Sequence, residues 1–385
     1  MLFLLGGTQS WGQHVRFRNI SIEQGLSQST ITSICQDTTG FMWFGTEDGL
    51  NRYDGYKFEV FKNDRNNANS LSGNWVTSLA RDAEGNLWIG TLRDGLNQLG
   101  KDHASFKRYR YTSQESRNLR TDGILSLHVK DDILWIGTET GLDSYTKERG
   151  FERHGLFSPH HNSRRFRVTS LFQDNLGYVW VGTDKGLLRW HTQAESGIIL
   201  SSEQNEWVRS ITTDNKGSIW VAAGKKVSLY PLGGALKPVA VHELDGSTAT
   251  AVLCDVTGTW ITTDQNGFFF LPEGQDNFYR YQTNKTDIFS LRTNDLRSLF
   301  HDNTGVIWIG SYGGGIDSFD SLLIENFTHH SAEPGNPKDL PHPMIYVMHE
   351  DSQGDLWVGS GGGLSHMPLK GGGRIRHYQH DPSDP

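Results

Sequence analysis

The sequence predicts an all-β chain, a β-propeller, on three observations. One short motif recurs along the whole length, its interval fits a four-stranded unit, and the residues inside each copy alternate as strands do. "DTTGFMWFGT" at 37–46 returns as "DAEGNLWIGT" at 82–91, "DNLGYVWVGT" at 174–183, "DNTGVIWIGS" at 302–311 and "DSQGDLWVGS" at 351–360. Weaker copies are "DDILWIGT" (131–138), "DNKGSIWVAA" (214–223) and "DVTGTWITT" (255–263). The aligned residues Trp43, Trp88, Trp135, Trp180, Trp220, Trp260, Trp308 and Trp357 lie 40 to 49 residues apart. That spacing is the size of a propeller blade. Helical repeats of similar length are excluded, because "ITSICQD" (31–37) and "WVTSLARD" (75–82) show no 3.6-residue stripe.

Each unit reads strand by strand. An outer strand carries paired aromatics, as in "YKFEVFKN" (56–63), "SFKRYRY" (105–111) and "NFYRYQTN" (277–284). A polar linker such as "DRNNANSLSGN" (64–74) follows, then an inner strand that ends at the turn Asp. The Trp strand and a short strand like "GLNRYD" (49–54) complete the unit. Asp37 can accept hydrogen bonds from N–H groups two or three residues on, and Gly40 supplies the positive φ of a tight hairpin. Trp43 and Gly45 share one strand face, Phe44 and Thr46 the other. A large ring beside a bare glycine lets the next sheet approach closely. The motif is therefore scaffold, with only the "TEDG" end (46–49) open to a functional role.

Composition agrees. Glycine (44), Trp (12), Phe (19) and Tyr (12) are abundant in 385 residues, as in turn-rich β-proteins. Net charge is −8 with scattered Lys and Arg, which argues against nucleic acid as a partner. Residues 1–14, "MLFLLGGTQSWGQH", read as the remnant of a secretory signal peptide lacking its basic region; the apolar run is too short to span a bilayer. Cys35 and Cys254 fit no metal or redox spacing and read as small buried residues rather than a disulfide.

Catalytic readings find little support. A phosphate loop needs a helix after its glycines, and here a strand follows. Glu47 and Asp48 read as turn acids rather than glycosidase carboxylates. No His or Cys pattern implies a metal, no cofactor is implied, and no nucleophile elbow is present.

The pattern I-x-S-[IL]-x-x-D-x-x-G-x-[LIV]-W-[IV]-G-T-x-x-G-[LI]-x-x-[YF] resembles two-component regulator propeller repeats, with "WVTSLARDAEGNLWIGTLRDGLNQL" (75–99) close to that consensus. The resemblance covers about 15 to 381 and implies the periplasmic sensor region of a membrane-bound histidine kinase or diguanylate cyclase. It further implies a small-molecule ligand, often an oligosaccharide, and a homodimer formed through the parent protein. Membrane attachment would come only from a segment downstream of this chain. On this expectation the chain itself carries no catalytic domain.

Seven repeats, 15–323, would close as a seven-bladed ring if "VRFRNISI" (15–22) supplied the outer strand of the seventh blade. Residues 324–385 would then begin a second propeller, truncated within its first repeat. A single eight-bladed ring is the alternative. Ligand candidates come from the loops entering the inner strands and the turns leaving the Trp strands, which lie at one end of a blade. They are Trp75, Arg93, Asp94, Arg120, Asp122, Arg165, Arg167, Asp184, Lys185, Trp207, Tyr312 and Tyr346. Aromatic faces with Arg and Asp suit a sugar; the alternative for each is an ordinary loop residue. Three functions remain open: a ligand sensor, a non-catalytic scaffold for protein contacts or dimerisation, and a propeller glycan lyase or hydrolase.

Overall fold

The computed structural model describes residues 15–101, 103, 105–112, 118–155, 166–191, 206–232, 237–321, 340–368 and 375–380, and the backbone alone for 197–200. The signal-like residues 1–14 and Arg165 lie outside the described residues. The chain is all-β, with a single three-residue 3-10 turn at Ile22–Gln24 among the described residues. No described helix is long and apolar enough to cross a membrane.

Eight four-stranded antiparallel sheets follow the repeats. In the first, Ile31–Gln36, Met42–Thr46, Gly49–Tyr53 and Phe58–Phe61 pair in chain order. The seventh departs from that order, because its fourth strand is Arg18–Ile20 from the start of the chain, paired to Ile316–Asp320. The chain divides into two compact units, 1–324 and 325–385. Within the first unit the inner strands Ile31–Gln36, Val76–Arg81, Ile124–Lys130, Val168–Gln173, Val208–Thr213, Ala249–Cys254 and Leu296–His301 pack each against the next. The last packs against the first. The second unit holds one sheet, whose inner strand Ile345–Glu350 is exposed along its length.

The motif residues build this frame in ways local chemistry explains. Asp37 Oδ1 accepts the N–H groups of Thr39 and Phe41 at 2.9 and 3.1 Å, two and four residues on. Its Oδ2 accepts the indole N–H of Trp43 at 2.7 Å. One carboxylate thus ties the hairpin turn to the ring six residues later, and these bonds hold its pKa below the usual range against the opposing effect of burial. The same indole-to-carboxylate bond joins Trp88 to Asp82, Trp180 to Asp174, Trp220 to Asp214, Trp260 to Asp255, Trp308 to Asp302 and Trp357 to Asp351. The third sheet differs. Asp131 and Asp132 both adopt positive φ, 51° and 61°, forming a two-residue turn with no capping carboxylate. Trp135 instead donates to Gln173 of the next sheet at 2.7 Å.

In five of the seven sheets of the first unit a glycine two residues after the Trp permits the close approach of the following sheet; Ala222 and Thr262 hold the position in the fifth and sixth. A Cβ on Gly45 would sit 2.6 Å from Val76 Cγ1, and one on Gly310 would sit 2.7 Å from Ile31 Cβ. Apolar layers fill the remaining space: Trp43, Leu50, Val76 and Ile89 form one cluster, and Phe44, Ile31, Ile316 and Trp308 another. Cys35 and Cys254 are free, and burial pushes each thiol up to about 12.

A hydroxyl belt, absent from the sequence reading, reinforces these contacts. All eight inner strands carry a bulge between their first and third residues. The residue at that bulge escapes strand pairing, so its side chain is aimed independently of the ladder. Thr32, Thr77, Thr169 and Thr250 hold the position, and each donates its hydroxyl to the first inner-strand carbonyl of the next sheet: Val76, Ile124, Val208 and Leu296, at 2.5 to 2.8 Å.

Candidate ligand-binding site

In every sheet of the first unit but one, a backbone bond joins the loop entering the inner strand to the turn leaving the Trp strand. Leu92 N donates to Trp75 O, Glu139 N to Gly123 O, Asp184 N to Arg167 O, Gly224 N to Trp207 O, Asp264 N to Thr248 O and Tyr312 N to Asp295 O, all at 2.9 to 3.3 Å. The two loop sets therefore meet at one end of each sheet.

Sheets two to four present mainly charges that hold their own loops. Asp94 accepts Arg110 at 2.9 Å and lies against Gly73, where a Cβ would meet its Oδ2 at 2.1 Å. Asp122 accepts the Tyr111 N–H at 2.7 Å, and Asp184 accepts the Arg167 N–H at 3.2 Å. The Arg167 guanidinium reaches Glu139 at 4.0 Å, and Lys185 Nζ stands 5.9 Å over the Phe166 ring. Trp75 and Arg93 are exposed.

Arg120 serves the sheet itself. Its backbone N–H and its Nε both donate to Asp143, at 2.8 and 3.0 Å, and its Nη2 donates to the carbonyls of Leu142 and His154. Asp143 is fully buried, and desolvation raises its pKa although Arg120 opposes the shift. The first two sheets solve the same problem with neutral partners. Asn51 accepts the Ser27 N–H and donates to its hydroxyl, and Asn97 does so with Ser72, at 2.8 to 2.9 Å. Asn with Ser, or Asp with Arg, is one joint in two chemistries.

Sheets five to seven are different. The bulge position that holds Thr elsewhere holds Arg209 in sheet five and Arg297 in sheet seven. Each guanidinium lies over an exposed aromatic ring of its own end: Arg209 over Trp207 at 4.6 Å, and Arg297 over Tyr312 at 5.1 Å. Arg297 pairs with Asp295 at 3.0 Å. Arg209 Nε is buried without a hydrogen-bond partner among the described residues. Burial, then the positive charge of Arg297, lower the Arg209 pKa, with Asp264 and Asp295 opposing. Between these two strands lies the sixth sheet. Its loops 245–248 and 264–266 line a cavity of about 360 Å³. Asp264 accepts the Thr248 N–H there at 3.0 Å, and Asn266 donates to Ser247.

Of the residues selected from sequence, Trp207 and Tyr312 stand at the entry ends of sheets five and seven, on either side of the sixth. Trp75, Arg93, Asp94 and Asp122 belong to sheets two and three, while Arg167, Asp184 and Lys185 belong to the junction of sheets three and four. Tyr346 is the exposed bulge residue of the second unit. Arg209, Arg297, Asp264 and Asp295 were missed. Their signal was the bulge position itself, which reads Thr in "ITS", "VTS" and "ATA" but Arg in "VRS" and "LRS".

The comparisons with known proteins fit this architecture. The family model described as "Two component regulator propeller" matches at 25–48, 70–93, 167–185 and 339–362, each a stretch from entry loop to Trp strand. The crystal structure of the extracellular domain of the putative hybrid two component system BT3049 from B. thetaiotaomicron covers 95% of this chain at 26% identity and a TM-score of 0.73. The extracellular domain of BT4673, described as a putative one component system of the same organism, covers 94% at 20% identity and a TM-score of 0.63, a likeness of fold alone. These matches span 49% and 54% of those two solved chains, so the present chain is about half their length. Histidine kinase P4 of Formosa agariphila is 36% identical over 70 residues, 18% of this chain and 5% of that protein. The chain thus carries repeats of the two-component regulator propeller type at those four stretches and is similar to the extracellular domain of a hybrid two-component system.

Proposed function

We propose that the chain is an extracytoplasmic, ligand-sensing propeller module of a membrane-bound signal-transduction protein with a histidine kinase or diguanylate cyclase output. In this reading the first unit works as a closed seven-bladed ring and 325–385 belong to a second propeller. The observation that carries ligand binding is the placement of exposed Trp75, Trp207 and Tyr312 at the ends where entry loops and Trp-strand turns meet. Flat aromatic faces flanked by Arg, Asp and Asn stack on the apolar faces of a sugar and pair with its hydroxyls. Similarity to the extracellular domains of two-component systems supports an extracytoplasmic, periplasmic location and a sensing role rather than catalysis. Dimerisation belongs to the parent protein.

A thermal-shift screen of the chain against neutral and acidic oligosaccharides, followed by calorimetry of the hits, tests the proposal. A saturable ligand whose affinity falls on Trp207→Ala or Tyr312→Ala supports it. Absence of any ligand, together with concentration-dependent dimerisation of the chain in sedimentation, would favour a scaffold for protein contacts instead.

A further inference from the structure

We propose that the end of the sixth sheet in the first unit binds the acidic group of a sugar, a carboxylate or a sulfate, between Arg209 and Arg297. The inference rests on the ligand-sensing reading above and deepens it.

Three observations converge. The first is position. Among the seven sheets of the first unit, arginine occupies the inner-strand bulge in the fifth and seventh, on either side of the sixth. Four of the other five sheets place there a threonine whose hydroxyl ties one sheet to the next. Arg209 lacks that bond, as Leu125 of the third sheet does, and the hydroxyl link from the fifth sheet to the sixth is Ser210 Oγ, which accepts the Val252 N–H at 3.2 Å; the guanidinium itself makes no such tie.

The second is an unmet hydrogen-bonding capacity. Guanidinium groups present five donors in a planar fork, and leaving a buried donor unpaired is unfavourable. Arg209 Nε is such a donor. Arg297 lies near enough to destabilise its charge further. Arg209 and Arg297 occupy equivalent bulge positions on the two inner strands that flank the sixth sheet, so an anion at its end has a guanidinium on either side. The nearby carboxylates are already engaged: Asp295 pairs with Arg297, and Asp264 accepts the Thr248 N–H.

The third is room at the end of the sixth sheet, in a cavity lined by its own loops 245–248 and 264–266, with exposed rings on the sheets to either side. The cavity of about 360 Å³ has the scale of small-ligand sites, roughly 300–1,000 Å³. Trp207 and Tyr312 remain exposed although each carries an arginine over its ring. The stacked guanidiniums are preorganised, so less freedom is lost when an acid docks. A neutral sugar would leave the Arg209 fork without the bidentate acceptor it matches.

The experiment uses the full chain and calorimetry with trigalacturonate, a sulfated galactosamine disaccharide and, as the neutral control, galactotriose. Binding of one acidic probe at least tenfold tighter than galactotriose is expected, and which of the two binds separates carboxylate from sulfate recognition. Arg209→Gln should weaken that acid at least tenfold, and Arg209→Lys, which keeps the charge but loses the fork, to a smaller extent. The melting temperature of ligand-free Arg209→Gln should equal or exceed that of the parent, because repulsion from Arg297 is relieved; a merely structural arginine would lower it. Equal affinity for neutral and acidic probes, or an acid that binds Arg209→Gln as tightly as the parent, overturns the charge assignment and leaves ligand sensing intact. Failure of all three probes to bind the parent overturns the assignment, and the wider saccharide screen then decides separately whether the sensing reading survives.

Discussion

Gly45→Ala tests how the sheets are held together. The new Cβ would lie 2.6 Å from Val76 Cγ1 and 3.1 Å from Thr32 Oγ1, and Val76 is fully buried at the start of the next inner strand. Overpacking of this kind costs about 1–3 kcal/mol. Gly45 has an ordinary backbone φ, so alanine returns about 0.4–1 kcal/mol by restricting the unfolded chain. The net expectation is a loss of about 1–2 kcal/mol. The molecule contains its own compensated case: Ala222 holds this position in the fifth sheet, and the facing residue is Ala249 rather than a branched side chain. Val76→Ala alone removes two buried methyls and should cost about 2–3 kcal/mol. The double variant reproduces the Ala222–Ala249 contact and should be more stable than the sum of the singles by at least about 1 kcal/mol. Urea unfolding followed by tryptophan fluorescence and circular dichroism gives these values if the two transitions coincide. Gly40→Ala is the control, since φ is 95° with open space around the Cβ site; it should cost about 1–2 kcal/mol through strain and show no coupling to Val76. Additivity of Gly45→Ala and Val76→Ala within about 0.5 kcal/mol would refute the close-approach argument.

Arg120→Ser leaves the buried Asp143 without its cation and should destabilise by roughly 2–4 kcal/mol; adding Asp143→Asn recreates the Ser–Asn joint of sheets one and two and should restore most of that in urea unfolding. Gln173→Leu should cost about 1–3 kcal/mol because it orphans the buried Trp135 indole N–H, whereas Gln36→Leu, the half-buried equivalent whose partners are solvent-exposed backbone groups of Gly40 and Asn303, should cost less, about 0.5–1 kcal/mol. Burial lowers the His128 pKa from 6.5 to about 4, so the unfolded chain takes up more protons there and stability rises with pH across that window. Burial raises Asp317 from 3.8 to about 7, so the native chain holds its proton longer and stability falls as pH rises across that window. The two slopes oppose one another: Asp317→Asn should leave a rising profile between pH 4 and 6.5, and His128→Gln a falling one between pH 4 and 7, measured as urea midpoints.

The repeat frame was legible because it is built from residues whose chemistry is local. Asp37, Gly40, Trp43 and Gly45 lie within nine positions, and each does something a single hairpin requires. What stayed hidden depends on a partner in another sheet. Nothing near Trp135 announces that Gln173 receives its N–H, because that pairing arises only when two sheets are packed. The hydroxyl belt was similarly invisible, since Thr at a bulge looks like any strand threonine until the next carbonyl is placed opposite. Arg120 resembled a ligand residue for the same reason; only alignment of Asp143 with Asn51 and Asn97 reveals it as half of a joint.

A repeat protein offers an internal control for separating construction from function. Every copy must cap a turn, seat an indole, admit its neighbour and fix its entry loop. A departure from the common solution is therefore informative only after asking whether the structure repairs it. Trp135 lost its turn carboxylate and gained Gln173. Ala222 replaced glycine, and Ala249 shrank to match. Arg120 replaced serine, and Asp143 replaced asparagine. Each of these is repaired within the fold, so selection for stability alone accounts for it. Arg209 replaced threonine, gave up the bond to the next sheet, and left its Nε buried without a partner among the described residues. Ser210 Oγ still accepts the Val252 N–H of the sixth sheet, but no described residue pairs that Nε. On the proposal above its partner is the acidic group of a ligand, which is why the proposed site lies at the fifth to seventh sheets rather than at the more heavily charged second to fourth.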